Sequence, residues 1–69
     1  MAKIMRWQDG TEKVVYREFD NHFDAIEFFH DLIDFIENDP RATLWVDSMN
    51  HYAQVQIDNS KITSYELEF

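Results

Sequence analysis

The chain contains no cysteine. That excludes a disulfide framework and a thiolate zinc site, and it points to a reducing compartment, with the cytoplasm as the expected location. Gly10 is the single glycine, which rules out a glycine-rich loop able to cradle phosphates. Basic residues are scarce too: six Lys and Arg stand against fourteen Asp and Glu, for a net charge of −8. Such a balance opposes direct binding to a phosphate backbone or to an anionic membrane surface. No long apolar run is present. The opening segment, MAKIMRWQDG, is broken by Lys3, Arg6 and Asp9, so neither a signal peptide nor a membrane span is expected there.

What is present is the material of a folded core. Hydrophobic residues make up 45% of 69 positions, with six Phe, three Tyr and two Trp, well outside disordered composition. This length suits one domain over residues 1–69, close to the lower limit at which a single core offsets chain entropy without staples.

Residues 20–39, DNHFDAIEFFHDLIDFIEND, carry the strongest pattern. At about 100° per residue, Ala25, Ile26, Phe28, Phe29, Leu32, Ile33, Phe35 and Ile36 gather on one half of a helix. Asp20 or Asn21 supplies the N-cap, and Pro40 ends the helix because it disfavours helical geometry in Asp39. Before the helix, Asp9-Gly10 between two alternating segments predicts a β-hairpin with a type I′ turn. Closing it there pairs Met5 with Val14 and Ile4 with Val15. Met5, Trp7, Val14 and Tyr16 then face the core, and Ile4, Arg6, Lys13, Val15 and Arg17 face solvent.

After the helix, Thr43 to Asp47, Tyr52 to Asp58 and Lys61 to Phe69 read as three strands joined by two-residue turns at Asn50-His51 and Asn59-Ser60. That register puts Leu44 opposite Ile57 and Ile57 opposite Ile62. Leu44, Val46, Ala53, Val55, Ile57 and Ile62 share one face; Trp45, Met49, Tyr52, Tyr65, Leu67 and Phe69 share the other. The expected fold is a single α+β domain of order ββαβββ, in which one amphipathic helix covers the aliphatic face of an antiparallel sheet. The aromatic face is left wholly or partly open.

Two constellations are candidates for function. Residues 19–40 hold seven acids and no base, so nearly all the excess charge lies in the helix. Asp24, Glu27, Asp31, Asp34 and Glu37 follow steps of three and four, forming a line of like charges that slightly weakens the helix where mixed signs would strengthen it. The bland reading is a solvated face. The sharper one is a surface for a basic groove, since carboxylates one turn apart repeat at about 5.4 Å, on the scale of phosphate spacing in a nucleic-acid strand. In size and charge the chain resembles small acidic proteins of phage and mobile elements that inhibit host defence nucleases, among them anti-CRISPR and anti-restriction proteins. That resemblance implies a DNA-mimic inhibitor whose partner is a nucleic-acid-handling protein. It rests on size and charge, not on a motif, so no residue role transfers.

The second constellation is the aromatic face, Trp45, Met49, Tyr52, Tyr65, Leu67 and Phe69, whose residue types are those of interface centres and which points to a homodimer or partner contact. The alternative is that these residues form a second core. Glu27-x-x-His30 has di-iron spacing but only one helix to supply ligands. His30 with Asp34, or His22 with Asp24, could hold one metal at low affinity; the bland reading is solvated histidines on a helix edge, and neither a metal nor a cofactor is expected. Ser48, Ser60 and Ser64 lie in no nucleophile motif, and carboxylates on an open helix face lack the enclosure that tunes a pKa. The expectation is therefore a non-enzymatic binding protein that contacts a basic protein surface, with no direct nucleic-acid or membrane partner.

Overall fold

Asn21 sits in extended geometry (φ −130°, ψ 158°) and its side chain accepts from the backbone N–H of Asp24, which starts helix α1 at His22–Glu37. The Asn21 side-chain amide also donates to the Asp24 carboxylate, at 3.0 Å. Together these satisfy a free N–H of the first turn and hold a negative charge at the positive end of the helix dipole. Asn38 closes the other end, just before Pro40. Asn21→Ala is expected to cost about 1 kcal/mol, read as a Tm lower by about 4–8 °C in a domain of this size. An unchanged Tm would mean that the cap contributes nothing.

The computed structural model describes residues 1–49 and 51–69. Strands β1 (Ala2–Gln8), β2 (Val14–Phe19), β3 (Ala42–Asp47), β4 (Tyr52–Ile57) and β5 (Thr63–Glu68) complete the ββαβββ order. They form one antiparallel sheet in the order β2-β1-β5-β4-β3. Pairing of β1 with β5 joins the β1–β2 hairpin to the β3–β4–β5 meander, so the sheet is complete only when the last strand meets the first.

Helix α1 lies on one face of this sheet. Ala25 (0% exposed) and Phe29 (2%) enter a core with Ala2, Ile4, Ala53, Val55, Tyr65 and Leu67. Three alanines at the contact let the helix approach the strands closely. The larger side chains supply the apolar area, at about 1.5–3 kcal/mol for each one fully buried.

The structure departs from the sequence expectations at three places. The β1–β2 turn is not type I′: Gly10 has φ +82° while Asp9 does not take a positive φ, and type I′ requires both. Thr11 closes the turn instead, its N–H and hydroxyl donating to the Gln8 carbonyl at 3.0 and 2.7 Å. The strands then pair one residue later than expected, Arg6 with Val14 and Met5 with Val15, and a bulge shifts Ile4 onto Arg17. On β1 the faces are reversed from expectation: Ile4, expected in solvent, is 0% exposed. Met5 and Trp7, expected in the core, stand on the side away from the helix in register with Glu66 and Ser64. Val14, also expected in the core, is 57% exposed. The bulge keeps Tyr16 within ring contact of Phe28 and Tyr65, at 6.4 and 5.7 Å between centroids.

The second and third departures lie in the C-terminal strands. Leu44 pairs with Val55 instead of Ile57, a slip of two that preserves the faces of β3 and β4. Val55 pairs with Thr63, one residue away from expectation, and that inverts β5. Tyr65 (9% exposed) and Leu67 (5%), assigned to the open aromatic face, therefore belong to the core under the helix. The cause lies in the longer β4–β5 connection, where Asp58 adopts φ 53° and the Ser60 N–H bonds the Ile57 carbonyl at 3.0 Å. Asn50, half of the expected Asn50-His51 turn, lies outside the described residues.

Candidate functional site

The first surface is the outer side of α1. Asp24, Glu27, Asp31, Asp34 and Glu37 are all exposed. Two ion pairs occur among the described residues, Lys13 Nζ with Glu66 Oε1 at 3.0 Å and Arg41 with Asp39 at 3.4 Å, and neither involves these five. The stripe winds around the helix. Asp24, Glu27 and Asp31 border a shallow depression beside Phe19 and Phe28 on the β2 side. Asp34 reaches the opposite flank, beside His30, Ile33 and His51. The last turn of α1 contains no base, so Glu37 meets the negative end of the helix dipole uncompensated. Helix stability alone does not account for that choice of side chains.

The second surface is the sheet face away from the helix. Register lines up Trp7, Ser64, Gln54 and Trp45 across four strands, and Met5, Glu66, Tyr52 and Asp47 beside them. Trp7 and Tyr52 rings pack at 5.9 Å. The Tyr52 hydroxyl lies 3.2 Å from Ser64 Oγ, which is itself buried. Lys13 lies 4.7 Å over the Trp7 ring while bonded to Glu66. That hydrogen bond is the main cause holding the Lys13 ammonium above its ordinary pKa. Trp45 (47% exposed) and Val15 (46%) remain open.

Of the six residues expected on this face, Trp45 and Tyr52 are there. Met49, 90% exposed, lies in the β3–β4 connection. Tyr65 and Leu67 are core. Phe69 packs between His22 (4.5 Å) and His51 (5.5 Å), at the N-terminal end of the helix and not among the Trp residues. Trp7 and Lys13 were missed as members of the face. The signal for them was the alternation Met5-x-Trp7 itself, which a hairpin register later by one residue converts from core to surface.

Among the described residues, no group of three or more Asp, Glu or His converges in a metal-binding arrangement. No helix among them is long and apolar enough to cross a membrane.

Asp39, just past the helix, is tied back by Arg41. Its carboxyl sits below the ordinary value, first because the Arg41 backbone N–H donates to it (2.9 Å) and then because the guanidinium does. A carboxyl lowered in the folded state contributes stability above its unfolded value, near 3.8, and loses it as pH falls through the folded value. Asp39→Ala is therefore expected to lower the urea midpoint at pH 7 and to lower it less at pH 2. An equal effect at both would assign the loss to helix termination and not to charge.

Comparison with protein-family models, with curated proteins and with solved structures gives no match to this chain.

Proposed function

We propose that this chain is a non-enzymatic, acidic binding protein whose α1 carboxylates engage the basic, nucleic-acid-binding surface of a protein partner, as an inhibitor of the DNA-mimic kind. Five exposed carboxylates on one helix, none ion-paired among the described residues, are the observation that supports this reading. Unpaired surface charge costs little in water and becomes useful when a surface of opposite sign approaches, because complementary potentials speed encounter and select partners. The like-charge spacing weakens the helix slightly, which is understandable where binding and not stability set the residues. Action in the cytoplasm belongs to the same reading, since a cysteine-free fold needs no oxidising compartment.

The test uses the immobilised chain as bait in cell lysate, with DNA as competitor and a salt gradient. The supporting result is capture of a nucleic-acid-binding protein that added DNA displaces and that Glu27→Lys with Asp31→Lys and Asp34→Lys abolishes. Capture and salt dependence unchanged by those three reversals would overturn the proposal.

A second reading has its own support. Trp45 and Val15, each about half exposed, stand on the two edge strands of the open sheet face with the Trp7–Tyr52 ring pair between them, and supply that face with apolar groups suited to a homodimer or partner contact. In that reading the acids only keep the chain soluble. Trp45→Ala, a surface change that leaves the core intact, is expected to shift sedimentation from dimer to monomer. A wild-type chain that sediments as monomer at every concentration removes the homodimer.

A further inference from the structure

A groove of about 370 Å³ lies beside the C-terminal half of α1, and its lining contains Arg6 and Lys61 but no Asp or Glu. In a chain with fourteen acids and six bases that local excess of positive charge is unusual. Leu32, Ile36, Val55 and Tyr65 give it apolar walls, and Gln8, Ser60 and Thr63 add uncharged polar groups. At its rim Phe35 is 78% exposed and Ile57 38%.

Arg6 is the unexplained residue of the fold. The hairpin register places it on the helix side of the sheet, where its guanidinium lies 5.8 Å from the Tyr16 ring centre and 6.0 Å from that of Tyr65. Its Nε is buried and has no acceptor. Neither Arg6 nor Lys61 forms an ion pair among the described residues. A guanidinium about 6 Å from two ring centres gains cation–π attraction there, and the terminal N–H groups of a guanidinium are suited to a carboxylate.

We infer that this groove binds a small amphipathic carboxylate, with its anionic head at Arg6 and Lys61 and its apolar body against Leu32, Phe35 and Ile57. The body is part of the recognition. The net charge of −8 opposes any approaching anion, so burial of apolar surface must supply most of the affinity. A bare inorganic anion or acetate is therefore not held. The volume falls at the lower end of small-ligand sites, which favours a medium-chain aliphatic acid over a larger molecule.

Decanoate is the probe, followed by amide chemical shifts of the isotope-labelled protein below its micelle concentration. Decanol serves as the headless control and acetate as the bodiless one. The expected result is saturable shifts at Leu32, Phe35, Ile57 and Tyr65, at least tenfold weaker binding of decanol, and none of acetate. Arg6→Met is expected to weaken decanoate at least tenfold and leave decanol unchanged. Should that variant unfold, Lys61→Gln and Phe35→Ala, both at exposed positions, carry the test: the first is expected to weaken decanoate alone and the second both ligands. Equal affinity for decanoate and decanol, shifts confined to the open sheet face, or no saturable shift overturns the inference.

Discussion

Ile4→Ala is expected to lower stability by about 2–5 kcal/mol, whereas Met5→Ala, its neighbour, is expected to cost well under half as much. Ile4 is 0% exposed and lies opposite Leu67 on the central strand pair, so truncation leaves a cavity that the flanking strands β2 and β5 prevent from collapsing. A core in a domain this small rarely supplies more than about 3–5 kcal/mol in total. The substitution is therefore expected to leave most of the chain unfolded at 25 °C, read as loss of the cooperative urea transition by circular dichroism. Met5 stands on the open face, where the lost methylenes were partly wetted already. A larger loss from Met5→Ala than from Ile4→Ala would return β1 to the opposite register.

Reversing Glu27, Asp31 and Asp34 to Lys is expected to act on stability and binding with opposite signs. Each substitution changes the charge by two, so three take the net charge from −8 to −2. Along the helix, the lysine introduced at position 27 stands three residues from Asp24 and the one at position 34 three from Glu37. Two like-charge pairs, 24/27 and 34/37, are thereby replaced with opposite ones worth about 0.2–0.5 kcal/mol each, while 27/31 and 31/34 remain like-charged with the sign reversed. The urea midpoint is thus expected to hold or rise. Association with a basic partner is expected to slow by about 10- to 10³-fold at low salt, the range over which electrostatic steering operates. The gap should close as salt rises and screening shortens the field. Stopped-flow rates against the captured partner at two ionic strengths read this directly. Equal rates for the two chains at low salt would leave the acidic stripe with solubility as its only role.

The helix and the order of elements were legible in the chain because their signals are local. The spacing of Phe29, Leu32, Ile33 and Ile36, the cap at Asn21 and the stop at Pro40 each act within a turn or two of where they stand. The acidic stripe was legible for the same reason: a step of three or four on a helix needs no knowledge of the rest of the fold. The five carboxylates were expected outside, and they are exposed.

Strand register was not legible, and the residues misplaced on β1, β2 and β5 trace to it; Met49, in the β3–β4 connection, and Phe35, 78% exposed on the helix where the apolar half was expected to be covered, do not. In β1 both alternating rows are apolar, Ala2 and Ile4 on one side and Met5 and Trp7 on the other, so pattern alone cannot say which is covered. In β5 the rows differ, Tyr65 and Leu67 apolar against Ser64 and Glu66 polar, and it was the two-residue turn at Asn59-Ser60 that set the apolar row on the open face. Two-residue turns at Asp9-Gly10 and Asn59-Ser60 were the simplest closures. The longer turns, built on the Thr11 hydroxyl and on Asp58 at φ 53°, each moved the pairing by one residue. A slip of one exchanges the faces of a strand, whereas the slip of two between β3 and β4 left theirs alone.

By itself, then, the sequence determined one acidic amphipathic helix, five strands in ββαβββ order and the exposure of five helix carboxylates, because period, caps and breakers are short-range. Only the tertiary structure decided that Ile4, Tyr65 and Leu67 lie beneath the helix, that Trp7 joins Trp45 and Tyr52 on the open face, and that Arg6 lines a groove free of acids. Those outcomes depend on β5 pairing with β1 across almost the whole chain, and a strand's neighbours, not its own pattern, choose which of two apolar rows is covered.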